Sequence, residues 1–276
     1  LLGERLGGPL FEKVGRRLVL TETGQLALTY AQEIFSLGAE LESAVREKSR
    51  RGRTQEFRVG VADAVPKSLA YRLVEPALAV REPVRIVCRE WKLDSLLAEL
   101  ALHRLDLVIA DAPLPPSSGV RAYSHRLGSS RISVFAARTM ERGSAPFPHC
   151  LDGAPLLMPG EDSAAGQRLR TWFRTQAVHP RIVGEFDDSA LAQEFGRRGA
   201  GYFIGPEVLA AEIEARLDVE TVGVVDGVEE ELFAISVDRR STHPCVLAIT
   251  SKARSELFLP QAQARRSRAV PRQSAS

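Results

Sequence analysis

Leu1-Leu2-Gly3-Glu4-Arg5-Leu6-Gly7-Gly8-Pro9-Leu10-Phe11-Glu12-Lys13-Val14-Gly15-Arg16-Arg17-Leu18-Val19-Leu20-Thr21-Glu22-Thr23-Gly24 opens the chain. Three units follow one another in it. A helical piece ends in Gly-Gly-Pro, where glycine releases the helix and proline forbids its continuation. A basic hairpin carries Lys13, Arg16 and Arg17 around Gly15. Thr21 then offers a hydroxyl to cap a new helix, and Glu22 sits favourably against its dipole.

Outward from this stretch, apolar residues recur at Leu26, Tyr30, Ile34, Leu37, Leu41 and Val45. Steps of three and four draw one stripe along a helix. The opposite face is polar, with Gln25, Gln32, Glu33, Glu40 and Glu47. The stripe packs either on its own domain or on a second copy as a coiled-coil-like seam. The seam is the expectation, because residues 47–56 are polar and basic and read as a hinge. A helix that leaves one domain before the next begins has little else to cover its stripe.

From Phe57 the pattern alternates. Strands are expected at 57–62, 84–89 and 105–110, with helices at 66–80 and 93–102 between them. Such alternation implies parallel strands joined by right-handed crossovers. A strand at 131–137 leaves this unit, and a second set follows: strands at 155–158, 181–185, 201–205 and 219–222, helices at 165–176 and 189–196. A return strand at 231–237 and a final helix at 243–258 close the chain. The expected division is 1–20 for the hairpin unit and 21–50 for the long helix. One lobe takes 56–135 with 238–258, a second lobe takes 136–237, and 259–276 is a disordered tail rich in Gln, Ala, Arg and Ser.

Bulk numbers bound the function. The 276 residues suit two domains or one plus a module, and a net charge of +2 is too small to argue for nucleic acid by itself. Basic residues cluster at Arg46, Lys48, Arg50, Arg51 and Arg53 and again at Arg265, Arg266, Arg268 and Arg272. A charge run of this kind is usually just a solvated face. There is no run of about 18 apolar residues, so no membrane span is expected. Cys88, Cys150 and Cys245 are isolated, odd in number and show neither metal-ligand spacing nor a disulfide framework, which fits a reducing cytoplasm. The five histidines are scattered. No nucleophile–base set, phosphate loop or dinucleotide turn is present, so no catalytic residue, cofactor or metal is expected.

Leu6-Gly7, Leu10-Phe11, Lys13, Arg16, Leu20-Thr21 and Gly24 together resemble the back half of the winged helix-turn-helix of LysR-type transcriptional regulators. The two-lobed layout after the long helix resembles the same family up to about Phe258. The blocks Val59-Gly60-Val61-Ala62-Asp63-Ala64, Leu157-Met158-Pro159-Gly160 and Gly184-Glu185-Phe186-Asp187-Asp188 are similar to a subgroup that activates sodium/proton antiporter genes. The resemblance implies an α/β chain with a remnant of the winged helix-turn-helix, a long linker helix and a two-lobed effector domain like periplasmic binding proteins. It implies a homodimer or homotetramer on double-stranded promoter DNA, a small effector between the lobes, and a response to sodium or alkaline stress. The chain begins at Leu1, so the recognition helices that read bases are expected to lie upstream of it, and promoter binding is expected to need them. The basic tail after Phe258 has no counterpart in the family pattern.

Candidate sites follow. Lys13, Arg16 and Arg17 are the wing's DNA contacts, giving salt-dependent and mostly sequence-independent affinity. In open α/β sheets ligands bind beyond the carboxyl ends of strands. Asp63, Glu90 and Asp111 fall there in the first lobe, and Glu185, Asp187 and Asp188 in the second. An acidic crevice favours a cation with oxygen ligands, sodium included; alternatively Asp63 and Asp188 cap helices and Asp111 orders the proline-rich loop. The resemblance adds Ser68 and Ser163 at helix N-termini, which favour anions, and that conflict stays open. Trp91 stands at the cleft edge, as a pocket wall or a core residue. Two rivals remain: a solute-binding protein of the same two-lobed fold, and an enzyme on an α/β scaffold.

Overall fold

The computed structural model describes residues 2–15, 17–48, 54–161, 163–238 and 242–258. The head contains a short helix α1 (Leu2–Arg5) and an antiparallel hairpin of β1 (Phe11–Val14) and β2 (Arg17–Leu20). Gly15 at the turn has φ +66°, a left-handed conformation that glycine adopts without steric cost. The 27-residue helix α2 (Glu22–Lys48) follows. Its start is fixed as expected: the Gly24 amide donates to Thr21 Oγ1 at 3.0 Å, and that hydroxyl donates to the Pro9 carbonyl at 2.6 Å. Gly24 also lets the helix lie against the hairpin, since a Cβ there would stand 1.9 Å from the Leu10 carbonyl oxygen.

The body is built around one six-stranded sheet of order β4-β3-β5-β10-β6-β9. Strand β3 (Gln55–Ala62), helix α3 (Lys67–Val74), strand β4 (Val84–Trp91), helix α4 (Leu93–Ala101) and strand β5 (Leu107–Ala110) form two crossover units, with β3 parallel to both neighbours. The expected helix over 66–80 becomes 3-10 at Glu75–Ala79; Pro76 cannot supply the amide that an α-turn needs. β5 is buried at all four positions, as a strand with a neighbour on either side inside the sheet should be.

Strand β6 (Tyr123–Ala137) then runs through both lobes of the body, paired with the strand that returns at 219–236. β7 (Pro155–Pro159), α5 (Ala164–Thr175), β8 (Arg181–Phe186), α6 (Ser189–Arg197), β9 (Phe203–Pro206) and α7 (Ala210–Leu217) make the second lobe. β7 and β8 are parallel, and a parallel bridge from Leu156 to Tyr202 ties them to the chain entering β9. Strand β10 (Val219–Ser236) returns antiparallel to β6 through both lobes and also pairs β5 at residues 233–235. Helix α8 (Pro244–Lys252), continued by a π-turn at Ala253–Leu257, packs back on the first lobe.

Two expectations differ here. The strands at 131–137, 219–222 and 231–237 are parts of two long ones, and α7 was not foreseen. The register between β6 and β10 slips at Thr221/Gly223, Val225/Glu229 and Leu232/Phe233. Each bulge bends the strand and adds twist, so a pair of continuous strands serves both lobes. Gly227, with φ +77°, sits inside the central slip.

Two apolar clusters result. The larger holds Phe57, Leu69, Leu96, Leu107 and Ile235 with the α8 side chains, and reaches Phe135, Phe203 and Ile213. The smaller holds Ile132, Leu156, Leu169, Trp172 and Tyr202. Leu107, Ile109, Leu156 and Leu169 are at most 1% exposed. Burial of one such side chain contributes roughly 1.5–3 kcal/mol.

Candidate functional site

Where the lobes face each other, a cavity of about 780 Å³, counting space open to solvent, is lined from both sides. The first lobe contributes Ala64 and Pro66 after β3 and Asp111 after β5. The second contributes the start of α5, the Phe186–Ser189 turn and the β9 end, and Glu230 comes from β10. Most of the wall is apolar, with Leu157, Phe186 and Ile204 as its largest carbon surfaces.

The acidic residues sit unevenly. Glu230 is opposite Ser130 on β6, next to the central register slip, where β10 passes between the lobes. Burial, with the neighbouring Asp111 adding and Arg168 opposing, pushes the Glu230 carboxyl up to about 7. Its side chain keeps some solvent contact, so the rise belongs to a crowded cleft and not to a sealed core. Burial likewise raises Asp111; its own backbone amide and Arg168 oppose the rise, and Asp63 adds to it. Arg168, on α5, donates to the Glu229 carbonyl and so spans from the second lobe to the strand crossing.

The donors lie on the second lobe. Ser163 caps α5: its Oγ accepts from the Gly166 amide at 3.0 Å and donates to the Gly160 carbonyl at 2.9 Å. The first helical turn, Ala164 and Ala165, therefore lines the cavity. Gln193 of α6 is 4% exposed, and its Oε1 accepts from Arg216 at 2.9 Å.

Of the residues expected at an effector site, the cavity brings together Asp111, Ser163 and Asp187. The others lie outside its lining. Asp63 Oδ1 accepts from the Ala64 amide at 2.9 Å, and Asp188 Oδ1 accepts from the Ala190 amide at 2.8 Å as the α6 cap. Glu90 is paired with Lys67. Trp91 is 44% exposed at the end of β4. Ser68, in the first turn of α3, is buried with no partner for its hydroxyl among the described residues. Arg168, Gln193 and Glu230 were missed. Glu230 lies within Glu229-Glu230-Glu231, which reads as a solvated charge run, and Gln193 looks like any polar helix residue.

In the head, Lys13 and Arg17 are exposed on the two hairpin strands, while Arg16 lies outside the described residues. Along α2, Leu26, Tyr30, Ile34, Leu37 and Leu41 are 59–68% exposed, and Phe35 beside them is 75% exposed. The Val45 side chain lies outside the described residues. No helix among the described residues is long and apolar enough to cross a membrane. No group of three His, Cys, Asp or Glu among them is placed to hold a metal.

Comparison with known proteins gives a consistent result. Residues 50–256 match the LysR substrate binding domain. The transcriptional activator protein NhaR of Escherichia coli K12 is 36% identical over 259 residues, covering 94% of this chain and 85% of the relative. The crystal structure of Vibrio fischeri DarR in complex with DNA superposes with a TM-score of 0.55 at 18% identity, covering 92% of this chain and 86% of that one. The effector binding domain of QuiR in complex with shikimate superposes with a TM-score of 0.54 at 13% identity, covering 75% of this chain and all of that one.

Proposed function

The chain belongs to the LysR family of transcriptional regulators, and from that premise we propose an activator that senses a small effector between its lobes and acts as an oligomer on promoter DNA in the cytoplasm. The observation that carries this reading is the order of parts. A basic hairpin, an apolar-striped helix and a cleft-bearing body follow one another in one chain.

Each part has a role in the reading. Lys13, Arg16 and Arg17 hold the DNA backbone, and base reading falls to helices that precede the wing in the family. The α2 stripe covers itself with a second copy; Leu26, Tyr30, Ile34, Leu37 and Leu41 together expose too much carbon for water. Dimer or tetramer both follow from such a seam. The cleft residues Asp111, Ser163 and Asp187, with Glu230, receive the effector, and Asp63, Ser68, Glu90, Trp91 and Asp188 support its rim. The likeness to NhaR, with the blocks around Asp63, Pro159 and Asp187, supports sodium or alkaline stress as the signal and antiporter genes as the target. An effector shifts regulation only if it binds one closure state more tightly than the other.

A solute-binding protein of this fold would have no use for a DNA wing or for an apolar rod. The test is fluorescence anisotropy of promoter DNA titrated with salt, on protein that carries the family's recognition helices ahead of the wing. Lys13→Ala and Arg17→Ala should each reduce the slope of log K against log salt by about 1. Unchanged slopes in both variants would remove the wing from the interface. In a reporter strain, Asp111→Asn should blunt the response to sodium, and an intact dose response would exclude Asp111.

A further inference from the structure

Three carboxylates line the cleft, Asp111, Asp187 and Glu230, and Arg168 is the one cationic side chain among the described residues that lines it with them. Much of the remaining wall is carbon, so these charges are screened less than on an open surface. Among the described residues none of the three carboxylates is in an ion pair, and neither is Arg168. Arg168 shares a face of α5 with Ala164 and Ala165, one turn on. From there its guanidinium makes its one hydrogen bond among the described residues, to the Glu229 carbonyl. A guanidinium keeps its charge at every accessible pH. A permanent cation therefore sits on a backbone oxygen one residue from Glu230, without pairing to it. Glu230 is neutralised by a proton instead: burial and Asp111 hold its carboxyl up to about 7, against the pull of Arg168. Burial also raises Asp111, with Asp63 adding and Arg168 again opposing. The other charged groups around Glu230 are Glu229 beside it, Glu231 paired with Arg126, and Asp187 in the same lining.

We propose that Arg168 is the specificity-determining residue of this cleft, a tethered cation that competes with sodium for Asp111, Glu230 and the Glu229 carbonyl, and so sets the concentration at which the ion enters. All three offer oxygen, the ligand that a hard cation takes. Among the described residues no three His, Cys, Asp or Glu side chains converge. The mixed set of two carboxylates and a carbonyl therefore suits a singly charged ion better than a divalent one. The guanidinium holds the carbonyl and weakens the field of both carboxylates, so an incoming ion must overcome it twice. Protons compete for the same carboxylates, which joins two signals in one place. Below about pH 7 sodium has to displace the Glu230 proton; above it, the ion meets Arg168 alone.

This inference deepens the sodium reading above and rests on it. The test follows the thermal unfolding midpoint of the intact chain as sodium chloride replaces potassium chloride at constant ionic strength. Selective binding of sodium to the native state raises the midpoint by mass action, and the sodium concentration at which the rise sets in reads the affinity. The parent should need about tenfold less sodium at about pH 8 than at about pH 6, because one proton must leave first at the lower pH. At about pH 8, Arg168→Gln should lower the onset at least about threefold. Arg168→Lys keeps the charge and should restore the parent's onset, whereas a role confined to packing would give both variants the same effect. The proposal is overturned if Arg168→Gln needs as much sodium as the parent, if Arg168→Lys behaves like Arg168→Gln, or if the parent's onset is equal at the two pH values. With a sodium onset present in the parent, each of these results removes the competition and leaves the sodium reading standing. If neither the parent nor Arg168→Gln distinguishes sodium from potassium, the sodium reading falls and the proposal falls with it.

Discussion

Glu230 shows how much a single side chain depends on what the fold brings to it. Its folded pKa of about 7 lies above the ordinary carboxylate value. Between the two values the native state binds more protons than the unfolded chain, so its contribution to stability is present in acid and declines as pH rises toward about 7. Glu230→Gln should flatten this decline. Unfolding midpoints from about pH 5 to about pH 7.5 check it, and parallel curves for variant and parent would show that Glu230 titrates normally. At the head, Gly24→Ala should loosen the hairpin from α2, because the added methyl group meets the Leu10 carbonyl. Faster hydrogen exchange at β1 and β2 would report it, and unchanged exchange would show that the contact yields without cost. Among the thiols, burial holds Cys245 up at about 11 and Asp106 adds to it, whereas Cys88 is exposed. An alkylating reagent should therefore modify Cys88 first and Cys245 last; the opposite order would contradict the packing of α8.

At the scale of elements, legibility follows locality. α2 could be read from its cap and its 3.6-residue stripe, and β5 from an unbroken apolar run, because both signals lie within the element. β10 could not. Its stretch from Gly223 to Glu231 contains two glycines and four acids and looks like a loop between two strands. It is a strand because β6 pairs it from a hundred residues away, and no local pattern reports such pairing. The site inherits the same limit. Asp111, Ser163 and Asp187 mark strand and helix ends and were within reach of a topological rule, but Glu230 enters the cleft only through a register slip. The α2 stripe carries its own expectation. Leu37→Glu should raise the dimer dissociation constant at least about tenfold, as measured by light scattering across a concentration series. An unchanged mass at every concentration would mean the seam lies elsewhere.

In the proposed reading, the molecule joins a DNA-holding head to a two-lobed body through a helix that pairs with a second copy. On the same reading, the two strands shared by both lobes let cleft closure change by bending at the β6–β10 slips without breaking either strand. In that reading the long helix α2 converts a change of body geometry into a change in the spacing of heads along DNA. Footprinting of the promoter upstream of the gene by protein that carries the recognition helices, with sodium and potassium chloride compared at equal ionic strength, tests this coupling most directly. The account predicts a footprint at both salts whose length or internal protection changes with sodium. An identical footprint in the two salts, from protein that still binds the promoter, would contradict it.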